Sequence, residues 1–541
     1  MKFINKPILF SAVVAAIMSS CGGGSDILST PIANIDTTPI KEQELTKAQK
    51  ENWGHLDLVK DTIPGMSVDK AYAEIIKGKP GKKIIVAVID SGIDITHEDL
   101  DGKLWTNKDE IPGNGIDDDK NGYIDDIHGW NFLGTSYDEH LEYVRIVATG
   151  DESFPRFAEA KEKLEKERAQ VGPTKTRYEQ IYSSLKDADA AFTKQFGTKD
   201  YTPEQVEALK TTDEKLVQYK SVAAQMKSYG LASVQDAKET LNGEITKLAK
   251  SLNTSLNPEH KYRSTGDNPD DFNDKPGYGD ANVGPVIKSE AHGTHVAGII
   301  LAERNNGKGA NGVVANAELM SVRVVPNGDE YDKDVALAIR YAVDNGAKVI
   351  NTSFGKYYSP HSDWVRDAIA YAGQKDVLIV NAAGNEGIDL DKKDVYPNDA
   401  IGTGLEVANN FITVGSLDPV YGSKMVSGFS NYGKINVDVF APGEDIYSTF
   451  PENEYESIGG TSMASPAVAG IAALIRSQYP NLTATQVKQI IVDSGLPLTT
   501  KVIVGGDANN VQSFNVLSKS GRIANAYNAL IMAEKISKNI Q

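Results

Sequence analysis

Cysteine is nearly missing. Cys21 is the one cysteine in 541 residues, so no intrachain disulfide can form. Read alone, that scarcity points to a reducing compartment. Basic clusters are missing too. Lys and Arg number 56 against 74 Asp and Glu, for a net charge of −18, and no long basic tract occurs. That argues against nucleic acid as a partner, because phosphate binding needs clustered Lys and Arg. Past the N-terminal segment, no run reaches the roughly 18 apolar residues of a transmembrane helix. Tandem repeats are absent. What remains is an ordinary globular composition, 40% hydrophobic and 24% charged. It is enough for two to four average domains or one large domain with insertions.

The N-terminus reverses the compartment reading. Residues 1–20 read MKFINKPILFSAVVAAIMSS, with Lys2 and Lys6 as a short basic region and Ile8 to Met18 as an apolar run of signal-peptide length. Small residues then lead into Cys21. This resembles a bacterial lipoprotein signal, with Met18 where that pattern has Leu or another aliphatic residue. The resemblance implies that Cys21 becomes the lipid-modified first residue of an exported, membrane-attached protein. It points to the outer membrane or cell surface rather than free periplasm or medium. An ordinary cleaved signal peptide with an incidental cysteine is the competing reading. Residues 21–50 begin CGGGSD and stay polar without apolar periodicity, as a tether would.

From Lys82 the pattern changes. KKIIVAVID is a continuous apolar run ending in an acid, the pattern of a buried parallel strand. ELMSVRVV (318–325), AKVIN (347–351), DVLIVNA (376–382) and NFITVGS (410–416) read alike. Between them, DKDVALAIRYAVDNG (332–346) carries apolar residues at helical spacing and a closing glycine, and WVRDAIAYAGQK (364–375) is similar. Strands alternating with helices predict an α/β domain with a mostly parallel sheet. Residues 138–260 break the pattern. EAKEKLEKERAQ, RYEQIYSSLKDADAAFTKQF, PEQVEALKTTDEKLVQYKSVAAQMKSYG and VQDAKETLNGEITKLAKSLN are rich in Lys and Glu with intermittent apolar residues. They predict helices with one narrow apolar stripe, forming an antiparallel hairpin or small bundle. Residues 263–283, rich in Asp, Gly and Pro, read as a loop returning to the main domain. The expected division is a signal peptide (1–20), a polar tether (21–50), a first part of the main domain (51–137), a helical insertion with its return loop (138–283), and a second part (284–541). IANAYNALIMAEKIS reads as a closing helix with no further domain behind it.

Functional residues of open α/β sheets collect just past the C-terminal ends of strands. Asp90 ends IIVAVID and precedes Ser-Gly, a tight turn where a carboxylate sits partly buried; an Asx turn or helix cap would also place an acid there. EAHGTHVAGII (290–300) holds His292 and His295 three residues apart. A metal-binding pair fits that spacing, but no HExxH glutamate accompanies it. In VNAAGNEG (380–387), Asn385 is either a turn residue or an amide donor of the sort that stabilises an oxyanion in acyl transfer. Ser462, in GGTSMASPAVAG (459–470), precedes a helix by composition. Backbone N–H groups at a helix N-terminus point outward and favour negative charge, although a plain N-cap also explains the serine. Pro466 is expected in the first turn, where its missing N–H costs no helical bond.

Each segment is weak alone. Together, in the order Asp, His, Asn, Ser, the segments VAVIDSGID, HGTHVAG, NAAGNEG and GTSMASP resemble the four signature segments of the subtilisin-like serine proteases. The resemblance covers about residues 52–137 and 284–530, and the insertion accounts for the roughly 200 residues between Asp90 and His292. It implies a subtilisin-like three-layer α/β fold with a mostly parallel sheet, interrupted by the α-helical insertion. It also implies an exported serine endopeptidase acting on polypeptides, without an organic cofactor. By position, Asp90 would orient His292, His292 would move the proton of Ser462, and Ser462 would attack the scissile carbonyl. Asn385 and the Ser462 N–H would hold the oxyanion. VINTSFG (349–355) resembles the edge strand that pairs with substrate backbone, which implies contacts at Ser353, Phe354 and Gly355. Phe354 and Glu386 are implied near the specificity pocket, and His295 is implied to be structural. A histidine base implies a neutral-to-alkaline optimum. Two other readings stand beside this one. One is a weakly active or inactive surface lipoprotein whose insertion binds a protein partner. The other is an acid-active serine-carboxyl peptidase, against which HGTHVAG speaks because those enzymes use a glutamate in place of the histidine.

A second motif lies at NGIDDDKNGYIDDIHGWNF (114–132). Asp117, Asp119, Asn121, Tyr123 (through its carbonyl) and Asp125 alternate as oxygen donors, with Gly122 at the sixth position, as in an EF-hand-like Ca²⁺ loop. The twelfth position is His128 rather than Glu, so Asp126 or a residue from elsewhere would complete the shell. Carboxylates packed this closely repel unless a cation or water relieves them, although a solvated acidic loop is the alternative. Calcium sites are frequent in the resembled family, and Asp99 in THEDL matches another of its ligands. About 60 residues separate Cys21 from the first catalytic strand, and part of these, NWGHLDL, resembles the family's mature N-terminal segment. No folded inhibitory propeptide fits there. The helical insertion or a partner is therefore expected to take over some of its roles in folding or control.

Overall fold

The computed structural model describes residues 44–540 apart from Tyr229 and Tyr262. The signal segment, Cys21 and the tether through residue 43 lie outside the described residues. Among the described residues, no helix is long and apolar enough to cross a membrane.

The strands are Ile84–Asp90 (β1), Gly129–Asn131 (β2), Ala317–Arg323 (β3), Val349–Thr352 (β4), Leu378–Ala382 (β5), Phe411–Leu417 (β6), Val439–Pro442 (β7), Ile446–Phe450 (β8), Glu454–Ile458 (β9), Leu496–Pro497 (β10), Lys501–Val504 (β11), Asp507–Ser513 (β12) and Arg522–Ile523 (β13). Nine of them form one sheet in the order β10-β13-β7-β6-β5-β4-β1-β3-β2. Every pairing in it is parallel except β10 with β13. β8 with β9 and β11 with β12 are separate antiparallel hairpins. The five strands expected from apolar runs are all present. β2 and β7 carried no such signal, because three or four residues beside glycine and proline are too short to show a period.

Both faces of the sheet are covered, which is why the strands read as unbroken apolar runs. On one face Val86, Val88, Leu319, Val349, Val380 and Val414 pack with helices His292–Leu301, Thr461–Gln478, Ala484–Ser494 and Ala526–Ile540. On the other, Ala87, Ile89, Met320, Ile350, Ile379 and Phe411 pack with Asp332–Asp344 and Ser362–Gln374. Successive residues of a strand point to opposite faces, so β1 feeds both cores. Each buried aliphatic side chain of this size stabilises the sheet by about 1.5–3 kcal/mol. This is a three-layer α/β fold.

The interrupting segment contains Glu142–Ala148 (α1), Phe157–Phe196 (α2), Pro203–Ala208 (α3), Glu214–Ser228 (α4) and Val234–Asn253 (α5). The helices at His292–Leu301 and Thr461–Gln478 are α6 and α7 below. α5 runs back along α2: Lys238 meets Asp189 at 2.5 Å near the tip, and Arg168 reaches the Leu256 carbonyl at 2.8 Å near the base. Two stretches read separately from sequence are one 40-residue helix, α2, passing through Gly172 and Pro173. The proline removes an N–H that would have bonded the Ala169 carbonyl, and Ala169 is exposed, so the loss falls on the solvent side. The third expected stretch is instead two helices, α3 and α4.

Candidate active site

The C-terminal edge of the sheet gathers the sequence-predicted residues. Asp90 ends β1, Ser353 follows β4, Asn385 follows β5, His292 opens α6 and Ser462 lies in the first turn of α7. Asp90 is fully buried. Its Oδ1 accepts a 2.7 Å hydrogen bond from His292 Nδ1 and another of 2.7 Å from the Ser91 N–H. The Ser91 hydroxyl in turn accepts from the Gly293 N–H at 3.0 Å, tying the strand end to the start of α6. The segment before α6 is fixed by Glu290, paired at 2.7 Å with buried Arg323. His292 remains 37% exposed, so the ring edge away from Asp90 is open to a substrate. Burial works against charging this ring, but the Asp90 carboxylate and its hydrogen bond outweigh that cost and hold the imidazole above its ordinary value.

Ser462 and Ser353 are bonded reciprocally. The Ser462 hydroxyl donates to the Ser353 carbonyl at 3.0 Å, and the Ser353 hydroxyl donates to the Ser462 carbonyl at 2.8 Å. This corrects the expectation for Pro466. α7 starts at Thr461, so Pro466 is its sixth residue and lies past the first turn. The N–H it lacks would have bonded the Ser462 carbonyl, and the Ser353 hydroxyl takes that place. Asn351 supports the arrangement, donating to Ser353 Oγ at 3.0 Å and accepting from Ser465 Oγ at 2.9 Å.

Asn385 is oriented by a residue that sequence reading missed. Its Oδ1 accepts from both the N–H and the hydroxyl of Thr461 at 2.9 Å, which turns the amide Nδ2 the other way. The Thr461 hydroxyl also accepts from the Gly384 N–H at 3.0 Å. A methyl group placed on Gly460 would sit 3.5 Å from Asn385 Nδ2 and 3.6 Å from the Ser462 nitrogen. Two N–H donors therefore flank one small space, and glycine keeps that space open. Buried Asn431 closes the loop around Asn385, accepting from the Glu386 and Ile388 N–H groups and donating to the Ala383 carbonyl.

A model of the subtilase family matches residues 81–521. The chain belongs to the subtilase family. It is 40% identical over 242 residues to a thermophilic serine proteinase of Bacillus sp. (strain AK1), covering 44% of this chain and 52% of that protein. It is 42% identical over 188 residues to thermitase of Thermoactinomyces vulgaris, covering 35% and 61%. Against subtilisin DY of Bacillus licheniformis the identity is 36% over 224 residues, covering 41% and 76%. The matched stretch thus spans about half the length of the first relative and less than two thirds of the second.

The other residues of this subtilase that the sequence singled out lie in varied surroundings. His295 is fully buried, bonded through Nε2 to the Ile446 and Glu456 carbonyls, and burial pushes it down to about 4. Phe354 turns into the core with Val335 and Ile339, so its side chain does not face a groove, whereas Gly355 is exposed. Glu386 is exposed beside Asn385. In the acidic loop the structure brings together Glu110, Asp119 and Asp126, with one oxygen of each within 4.8 Å of the others. Asp117 instead caps the Asn121 and Gly122 N–H groups. Asp125 accepts from Asn114 and Gly115. Asn121 donates to Asp119 and Asp126. The ring of Tyr123 packs edge-on against Trp130, Phe132 and Tyr341. Burial pushes the Asp126 carboxyl up to about 6. Glu110 was missed because it lies outside the alternating motif. Asp99 is buried and accepts from Asn306 Nδ2 at 2.6 Å and the Ala310 N–H at 3.1 Å.

Proposed function

We propose that this chain is an exported serine endopeptidase that hydrolyses peptide bonds through an acyl-enzyme. The observation carrying the reading is the 2.7 Å Asp90–His292 bond, with two N–H donors converging beside Ser462. For attack, the Ser462 hydroxyl leaves the Ser353 carbonyl and passes its proton to His292 Nε2, while Oγ bonds the scissile carbonyl carbon. Asp90 stabilises the imidazolium. The carbonyl oxygen, now negative, moves between Asn385 Nδ2 and the Ser462 N–H, each donor contributing about 3 kcal/mol to the transition state. His292 returns the proton to the leaving amine. A water activated by the same ring then releases the acyl group. The substrate backbone adds as a strand along Ser353–Gly355, with exposed Gly355 leaving room for it. A fluorophosphonate probe should label the wild type and not Ser462→Ala; equal labelling of both would refute the assignment. A weakly active lipoprotein with a partner at its insertion draws on one observation, the Ser462 hydroxyl turned to the Ser353 carbonyl. A wild type that stays unlabelled would support it.

We also propose that Ca²⁺ binds the acidic loop through Glu110, Asp119 and Asp126. An all-oxygen donor set with three converging carboxylates suits a hard cation, and the ion would offset their repulsion. Its contribution is structural, and no catalytic step depends on it. Finally, we infer that a lipid on Cys21 attaches the protein to a membrane, at the outer membrane or cell surface, with the polar tether carrying the enzyme away from it. The N-terminal signal pattern supports this.

A further inference from the structure

The chain just beyond the substrate edge is held by the helical insertion. Lys356 follows Gly355 and is buried, 2% exposed. Its ammonium donates to Glu142 Oε2 at 2.6 Å and to the Glu330 carbonyl at 2.7 Å, and it pairs with Asp332 at 2.9 Å. Glu142 opens α1 of the insertion and is itself buried. Arg145, one turn on, grips both Glu142 oxygens, at 2.5 and 3.1 Å. The same guanidinium donates to the Asp329 carbonyl at 2.8 Å and the Glu330 carbonyl at 2.9 Å. Asp329 closes the knot by accepting from the Glu142 N–H at 2.7 Å. Burial would push the Glu142 carboxyl up, but Arg145 and Lys356 overcome it and hold the group at about 2. The next residues are held too. Arg156 at the base of α2 donates to the Tyr357 carbonyl at 2.8 Å, and Tyr358 is buried among Tyr143, Phe157 and Leu164.

With Glu142 removed, buried Lys356 keeps only Asp332 as a carboxylate partner and Arg145 keeps only backbone carbonyls, so two buried cations are under-compensated and the backbone carrying Lys356 shifts to rehydrate it. Here that backbone is continuous with Ser353–Gly355. We propose that Glu142 and Arg145 are positioning residues for substrate binding: by fixing Lys356 they set the edge at Ser353–Gly355, which makes the insertion a working part of the substrate groove. This rests on the reading of Ser462 as nucleophile and Ser353–Gly355 as substrate edge.

The test compares an extended peptide substrate, which needs the edge, with fluorophosphonate labelling of Ser462, which needs only the nucleophile and its base. Glu142→Gln should lower kcat/KM on the extended peptide by about 10- to 100-fold, mainly through KM. That loss should exceed any loss in labelling rate by at least about tenfold. Arg145→Lys, which keeps the charge but loses the fork onto Glu142 and the two carbonyls, should show the same pattern more weakly, and it carries the test if Glu142→Gln does not fold. Peptide cleavage and labelling falling in parallel, or neither falling, would overturn the proposal. A wild type that is never labelled would instead overturn the protease reading beneath it.

Discussion

At the scale of single residues, the site is a set of donors and acceptors that each have one partner fixed by the chain. Asp90 holds His292, and the ring is held above its ordinary pKa by that carboxylate despite burial. The base form is populated only above a midpoint raised from 6.5, so kcat/KM should climb with pH through that midpoint to an alkaline plateau. Asp90→Asn should lower kcat by about 10³- to 10⁴-fold and move the midpoint down, because the opposing burial cost is then left alone. A pH–rate profile of both proteins checks the sign. Asp90, His292, Asn385 and Ser462 were legible because each sits in a short segment of distinctive small residues. Thr461 and Asn431 were not, since a threonine and an asparagine carry no mark of which amide they orient. Only contact across more than 40 residues gives Asn431 its role.

At the scale of elements, Pro466 and Ser353 form one unit. The proline frees the Ser462 carbonyl of α7, and the serine at the end of β4 claims it. Ser353→Ala should leave that carbonyl unpaired and cost about 1–3 kcal/mol. In a Pro466→Ala background a helical N–H becomes available to the same carbonyl, so the cost of Ser353→Ala should shrink. Denaturant unfolding of the four proteins in this cycle measures the coupling. In the acidic loop, the alternating motif was legible but its use was not. Asp117 and Asp125 are spent on backbone N–H groups, and the carboxylates that converge include Glu110 from upstream. Calcium at 100-fold over its Kd should add about 2.7 kcal/mol of stability, lost in EDTA. Asp119→Asn should abolish most of that difference in thermal melts. An unchanged melting temperature in EDTA would speak against the site.

At the scale of the whole molecule, the insertion and the main sheet are joined by buried charge. A chain lacking residues 140–260 loses Glu142 and Arg145, leaves Lys356 with Asp332 and the Glu330 carbonyl but without Glu142, and should be destabilised. Normal folding and cleavage by that shortened chain would exclude any role for the insertion in folding or control. Cys21→Ser should shift the protein from the membrane fraction to the soluble one, as fractionation would show. The sequence by itself determined the parallel α/β pattern, the helical character of residues 138–260 and the four segments that meet at the candidate site. These are properties of local spacing: strands buried on both faces must be apolar throughout, and a backbone that approaches a substrate closely must be small. Only the tertiary structure decided which carboxylates meet in the acidic loop, what replaces the hydrogen bond Pro466 lacks, and where the insertion takes hold. Each of those depends on groups far apart in the chain, whose pairing is set by how the layers pack.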